Sequence, residues 1–149
     1  MTRPVASIQV LRAFKPTLDT PFHIDYGWWE RSGLNLRVYL QSHLCPEHRK
    51  LFADLQEVEE IDWVDEETAE VTRVDGLRHV LRTHCSKQPG YITPHTTLVD
   101  AIFRVFLAND NKPLTPVELG QRIGRDPMMI LRALSRGRVY KGLRPVVDA

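Results

Sequence analysis

The chain has 149 residues, of which 42% are hydrophobic, 26% charged and 8% aromatic, a composition typical of globular proteins. It contains no run of about 18 apolar residues, and residues 1–10 lack the basic start and apolar block of a signal peptide. The sequence therefore predicts a cytoplasmic protein with no membrane partner. Two cysteines are too few for a disulfide framework, so packing must stabilise the fold, with or without a metal.

The net charge of +1 conceals an uneven distribution along the chain. Residues 54–75 carry ten acids and one base, whereas residues 101–149 carry nine bases and four acids. This asymmetry predicts that the C-terminal part meets an anionic partner. The acidic segment is expected either to be a solvated surface or to neutralise the basic end.

The N-terminal stretch predicts a strand, a loop and a short helix. Residues 5–11 are β-branched and partly alternating, as in a strand, and residues 15–22 contain two prolines, as in a loop. Asp25 is a candidate N-cap for a helix that Gly33 interrupts. We expect the large aromatic residues between them to be core or interface anchors rather than a platform for a cofactor.

Further helices and one hairpin are predicted next. Residues 35–44 have leucines at helical spacing, and Pro46 fits the first turn of another short helix. Residues 61–75 change to a period of two around a polar turn, which predicts a β-hairpin with an acidic outer face. A short helix is expected over residues 77–84, and residues 88–94, with two prolines and a glycine, are the best candidate boundary.

We place the division between two regions near residue 92. An N-terminal helical region would occupy residues 1–92 and a C-terminal domain residues 93–149. Thr93 and Pro94 fit the cap and first position of a helix that runs to about Ala108. Because this helix is apolar on two faces, we expect it to pack against both regions.

Two closely spaced helix starts follow. Thr115 and Glu118 have the spacing of a capping box, and Gly124 is expected to end the helix that they open. Asp126 and Pro127 then fit the cap and first position of a second helix. So short a connection predicts two helices that cross at a steep angle.

This segment resembles the helix-turn-helix of bacterial regulators. Gly120, Gly124 and Ile130 match its small residue, its turn glycine and its buried aliphatic residue, and residues 138–147 look like the two strands of a wing. The resemblance covers about residues 94–147 and implies a winged helix. The expected fold is therefore α+β and mostly helical, an N-terminal helical region with a β-hairpin packed on a C-terminal winged helix-turn-helix.

The resemblance implies binding to DNA, as in a transcriptional regulator, with the second helix in the major groove and the wing on phosphates. Helical geometry turns Arg132 and Arg136 outward, where they suit guanine edges or phosphates. Arg125 stands where the motif more usually has an aliphatic residue. The predicted nucleic-acid contacts are Arg125, Arg132, Arg136, Arg138, Lys141 and Arg144.

Met128 and Met129 favour an alternative partner, a protein. They also face outward on the second helix, and methionine offers no hydrogen bonds to bases but adapts well to protein surfaces. The alternative function is thus a non-enzymatic interaction or assembly module, for which the sequence also allows a homodimer.

Cys45, His48, His84 and Cys85 form a candidate metal site. Cys45 and His48 have the two-residue gap of zinc ligands, but the neighbours His84 and Cys85 are not expected to point the same way from a helix. The alternative is two buried free thiols with surface histidines. A site, if formed, would hold a structural four-coordinate zinc, and no other cofactor is predicted.

The sequence predicts no enzyme. It has no Walker loop, nucleophile elbow or dinucleotide fingerprint. His23 and Asp25 could share one side of an extended segment, as in metal hydrolases, but capping explains Asp25 equally well.

Overall fold

A computed structural model describes residues 15–53, 60–64, 71–136 and 138–146. Over these ranges the protein is α+β and mostly helical, which confirms the predicted fold class. The helices are α1 (Tyr26–Ser32), α2 (Leu36–Gln41), α3 (Pro46–Ala53), α4 (Gly76–Thr83), a 3-10 turn (Cys85–Lys87), α5 (Leu98–Ala108), α6 (Pro116–Ile123) and α7 (Pro127–Leu134). The strands are β1 (Phe22–Ile24), β2 (Glu60–Val64), β3 (Val71–Asp75) and β4 (Leu143–Pro145). In these ranges no helix has both the length and the apolar character of a membrane span.

The first helices begin and end where local chemistry requires it. The Asp25 carboxylate accepts a hydrogen bond from the Trp28 backbone N–H at 3.3 Å and so caps α1, as predicted. Gly33 ends the helix with a φ of 74°, in the left-handed region that glycine adopts readily. Asn35 caps α2 through the backbone N–H of Val38, but this helix is shorter than predicted.

Helix α5 begins later than the sequence predicts, and this corrects the cap at Thr93. The side chain of Thr97 caps the helix instead, and residues 93–96 form a turn in which the Thr93 backbone N–H donates to Thr96 Oγ1 at 2.9 Å. The turn is held by Arg125, which donates to the carbonyls of Pro94 and Thr96 at 3.3 and 3.0 Å. Local sequence patterns cannot predict this contact, because Arg125 and Thr96 are 29 residues apart.

Both strands of the predicted acidic hairpin are present in the structure. β2 and β3 pair antiparallel, with Ile61 opposite Val74. The turn at residues 65–70, which joins them, lies outside the described residues. The strand predicted at residues 5–11 lies outside them as well.

The second small sheet differs from the predicted wing. β4 pairs antiparallel with β1, with Ile24 opposite Leu143, whereas residues 138–140 form no strand and contribute a single bridge between Tyr140 and Leu143. The second strand of the predicted wing is therefore present as β4, whereas its first strand is wrong, because residues 138–140 form only this bridge. Phe22 also bridges Leu114, so β1 lies between two C-terminal segments.

Among the described residues, the core is one cluster of buried side chains from both sides of residue 92. Helix α5 lies at its centre, with Phe103 fully buried. The Phe103 ring lies 4.8 Å from the Tyr39 ring, 5.2 Å from the His43 ring and 6.4 Å from the Trp29 ring, between centroids. The packing expected between the two regions is present, while the division into residues 1–92 and 93–149 stays a prediction.

Asp25 also connects the two halves of the chain, and this leads to a first prediction. Arg144 donates to its carboxylate at 2.9 Å and Arg31 at 3.4 Å. Burial raises the pKa of Asp25, but the Trp28 backbone N–H, Arg144 and Arg31 outweigh burial and hold the pKa below its usual value. We expect Asp25→Ala to lower the free energy of unfolding by about 1–2 kcal/mol at neutral pH.

Asp25→Asn is the matched control, because it keeps a capping oxygen and removes only the charge. A carboxylate whose pKa is lowered by folding stabilises the folded state. This stabilisation is complete above the unfolded pKa of about 3.9, and it is lost as the pH falls through the pKa of the folded state. Urea unfolding should therefore show a gap between wild type and Asp25→Asn at pH 7 that closes in acid. A gap that is the same at both pH values would contradict the role of the charge.

Candidate functional site

Helices α6 and α7 are positioned by three local devices that the sequence predicts. Thr115 and Glu118 form the capping box of α6, with the Thr115 backbone N–H donating to Glu118 Oε1 at 2.9 Å. Gly124 ends α6 with a φ of 70°. Asp126 then caps α7 by accepting from the Met128 backbone N–H at 2.9 Å. The cap at Asp126 therefore sets the start of α7 at Pro127.

Gly120 is the point of closest approach between these two helices. A Cβ atom at this position would lie 2.7 Å from the backbone oxygen of Arg125 and 3.0 Å from Cγ of Pro127. Real Cβ atoms do not approach that closely, so no larger residue fits without a backbone shift. On α7, Ile130 is buried, as predicted, and Leu134 is buried as well.

We define the α7 face as the four exposed side chains Met128, Met129, Arg132 and Arg136, all predicted to point outward. Met128 is 41% and Met129 49% exposed, so the start of α7 presents two adjacent apolar side chains to solvent. Arg132 and Arg136 line a groove of about 630 Å³ together with Met129 and Lys141, against the start of α5. Arg138 is exposed just beyond α7.

Two of the predicted nucleic-acid contacts are engaged elsewhere. Arg125 holds the turn before α5, as described above, and Arg144 is paired with Asp25. Lys141 places its Nζ 4.6 Å from the centre of the Tyr39 ring, a cation–π contact, and also lines the groove beside α7. The structure thus brings Arg132, Arg136 and Lys141 together and gives Arg125 and Arg144 structural roles.

Three of the four predicted metal ligands lie close together and the fourth, His84, packs beside them; we call the four residues the Cys–His cluster. The sulfurs of Cys45 and Cys85 are 3.5 Å apart, and Cys45 Sγ is 3.3 Å from His48 Nδ1. The ligand atoms of these three residues all lie within 4.8 Å of one another. His84 packs its ring against the His48 ring, with centroids 4.4 Å apart.

The Cys–His cluster lies where α3 begins and α4 ends. Cys45 immediately precedes α3 and His48 lies in its first turn, so the two side chains share one side of the helix. His84 follows the last residue of α4, and its φ of −123° and ψ of −60° are not helical. His84 and Cys85 belong to different groups of ligand atoms, so the structure does not bring these two neighbours together.

Sequence reasoning did not identify Glu47 as part of this site. Its Oε2 lies 3.5 Å from His84 Nε2, and Glu47, His48 and His84 form a second group of ligand atoms within 4.8 Å. The available signal was its position between Cys45 and His48 in the sequence Cys-Pro-Glu-His.

Burial is the largest influence on the pKa of two residues in the cluster, Cys85 and His48, when no metal is bound. It raises the pKa of the Cys85 thiol, which is fully buried. Burial, followed by the neighbouring His84, lowers the pKa of His48. At neutral pH the Cys85 thiol is therefore protonated and the His48 ring uncharged. The Cys85 sulfur also accepts a hydrogen bond, because the backbone N–H of Cys45 donates to Cys85 Sγ at 3.4 Å.

A buried polar network lies beside the cluster, across a cavity of about 620 Å³, and the sequence analysis missed it. Arg104 Nε donates to His43 Nδ1 at 2.9 Å, and Arg104 Nη1 donates to the Tyr91 carbonyl at 2.6 Å. Burial, and then the charge of Arg104, lowers the pKa of His43 to about 4. No sequence signal joins His43 to Arg104, because they are 61 residues apart.

The sequence matches no protein-family profile, and its comparison with curated proteins and with solved structures gives no significant match.

Proposed function

We propose that the protein binds DNA through the α7 face and has no catalytic step. The observation that carries the proposal is the pair of exposed arginines at the end of α7, where Arg132 lies in the last turn of the helix and Arg136 follows two residues beyond its end. The resemblance to helix-turn-helix regulators supports the same conclusion, since their second helix enters the major groove.

The dimensions and chemistry of α7 suit this role. An α-helix with its side chains is about 10–12 Å across, so a helix such as α7 fits the major groove, which is about 12 Å wide. An arginine can bind the O6 and N7 atoms of guanine with two hydrogen bonds, or a phosphate. Arg138 is exposed next to the helix and Lys141 lines the same groove, and both would bind phosphates in this proposal. Arg125 and Arg144 are left out of this interface.

Removing the two arginines tests the proposal. We expect Arg132→Gln/Arg136→Gln to weaken binding to a mixed-sequence duplex by about 10-fold or more and to reduce the slope of log affinity against log salt by about two. Lys50→Gln/Lys112→Gln removes the same charge from two exposed side chains outside α7 and should leave both quantities close to wild type. Fluorescence anisotropy at several salt concentrations measures both quantities.

Two results would reject DNA binding. One is a wild-type protein that does not bind duplex DNA at low salt. The other is an equal loss of affinity in the α7 variant and the control variant, since that would mean a response to net charge alone.

The exposed methionines favour a second candidate function, a protein-interaction module. Met128 and Met129 are apolar, adaptable and about half exposed, and Met129 lines the groove beside α7. Met128→Glu/Met129→Glu should abolish a protein partner, or self-association in sedimentation, while circular dichroism stays unchanged. An unaltered partner list and an unaltered mass would count against it. Both functions fit the predicted cytoplasmic location.

A further inference from the structure

We propose that Cys45, His48, His84 and Cys85 bind one zinc ion, which links the start of α3 to the end of α4. This inference is independent of the proposed function, because the cluster lies outside α7.

The separations between the ligand atoms fit a tetrahedral metal site. With Zn–S near 2.3 Å and Zn–N near 2.0–2.1 Å, two sulfurs of such a site lie about 3.8 Å apart and a sulfur and a nitrogen about 3.6 Å. The observed separations are 3.5 Å between Cys45 Sγ and Cys85 Sγ and 3.3 Å between Cys45 Sγ and His48 Nδ1. Small adjustments of these side chains would admit the ion.

A disulfide explains the same residues less well. The sulfurs are much further apart than the bond length of about 2.05 Å. A disulfide also gives no role to His48, whose Nδ1 points at Cys45 Sγ, or to His84 beside it. Thiolates and imidazoles are ligands that zinc prefers, and His84, whose ring packs against that of His48, would supply the second imidazole.

His84 is the fourth ligand in this proposal, and Glu47 supports it from outside the site. Zinc displaces one proton from each thiol to solvent and binds the two imidazoles as neutral ligands, so two thiolates balance its charge. Glu47 as fourth ligand would add a negative charge to a site in which Cys85 is fully buried. Glu47 Oε2 instead lies 3.5 Å from His84 Nε2, within reach to orient the ring as carboxylates do for zinc-bound histidines.

Four protein ligands leave no open position, which assigns the ion a structural role. Cys45 and Cys85 are 40 residues apart, and the segment between them includes α3, the β2–β3 hairpin and α4. A metal that joins the two ends of this segment would restrict it in the unfolded chain and hold α3 on the core in the folded one.

Elemental analysis of the full chain, purified without an affinity tag, tests the site. We expect close to one zinc per chain, a lower melting temperature in chelator, and two titratable thiols after denaturation in chelator. Zinc well below stoichiometry with an unchanged melting temperature would overturn the proposal. Iron in place of zinc would also overturn it, as would a chain without free thiols.

A matched pair of variants tests the assignment of the fourth ligand. His84→Gln should lose most of the zinc, whereas Glu47→Gln should keep it and weaken affinity by about 10-fold to 100-fold, measured by competition with a chelator. The reverse result, with zinc lost from Glu47→Gln and kept by His84→Gln, would refute the assignment. If His84→Gln does not fold, titration of the metal-free wild type with cobalt decides instead. A tetrahedral thiolate spectrum supports the site, and an octahedral spectrum without charge-transfer bands refutes it.

Discussion

Replacing Phe103 by alanine is expected to lower the free energy of unfolding by about 3–5 kcal/mol, the largest effect of any single change considered for this chain. Phe103 is fully buried on α5 and packs against the rings of Tyr39 and His43. Its removal leaves a cavity between the two halves of the chain, and stiff aromatic neighbours cannot collapse into it easily.

Two controls separate cavity formation from other causes in a denaturant titration. Phe103→Leu keeps most of the volume and should cost only about 1 kcal/mol. Leu51→Ala removes a side chain that is 63% exposed and should change stability by less than about 0.5 kcal/mol. Unfolding should stay a single transition in every variant, since both halves share one core. Two separate transitions in the wild type would contradict this shared packing.

Replacing Gly120 by valine is expected to cost about 3 kcal/mol, because overpacking against a fixed backbone is destabilising. The new Cβ would lie 2.7 Å from a backbone oxygen, that of Arg125, which cannot rotate away like a side chain. Alanine is the milder test. Alanine stabilises a helix by about 1 kcal/mol relative to glycine, but the clash should still make Gly120→Ala destabilising overall.

Gly90→Val is the matched control, because a Cβ at Gly90 would meet no atom within 4 Å. Thermal unfolding should show a lower melting temperature for Gly120→Val and little change for Gly90→Val. A Gly120→Val variant as stable as wild type would mean that α6 and α7 can separate at little cost, and the rigid placement of α7 would then be refuted.

Local features of the fold could be predicted because their causes are local. Asp25, Asp126 and the pair Thr115–Glu118 bond to backbone groups within three residues, so their sequence positions determine the helix starts. The outward direction of Arg132 on α7 follows equally from helical geometry.

The features that sequence analysis missed depend on contacts between distant residues. Arg125, in the turn between α6 and α7, bonds to the Thr96 carbonyl in the turn before α5. Arg144 bonds to Asp25, which is 119 residues away in the sequence. Both arginines were predicted to contact nucleic acid, since an arginine in sequence looks the same whether its partner is a phosphate or the protein. In the Cys–His cluster the residue types were evident, but the approach of Cys45 to Cys85 joins residues that are 40 positions apart.

The pairing of β1 with β4 has a consequence for the order of folding. It closes a loop of roughly 120 residues, and for a flexible chain the entropic cost of that closure is about 4 kcal/mol. Helices α1 to α7 and the hairpin have far shorter closures and can form first, which reduces the cost of the final one. On the ribosome, this sheet can close only after Leu143–Pro145 have left the exit tunnel, so β1 must wait for its partner until nearly all of the described chain has been made.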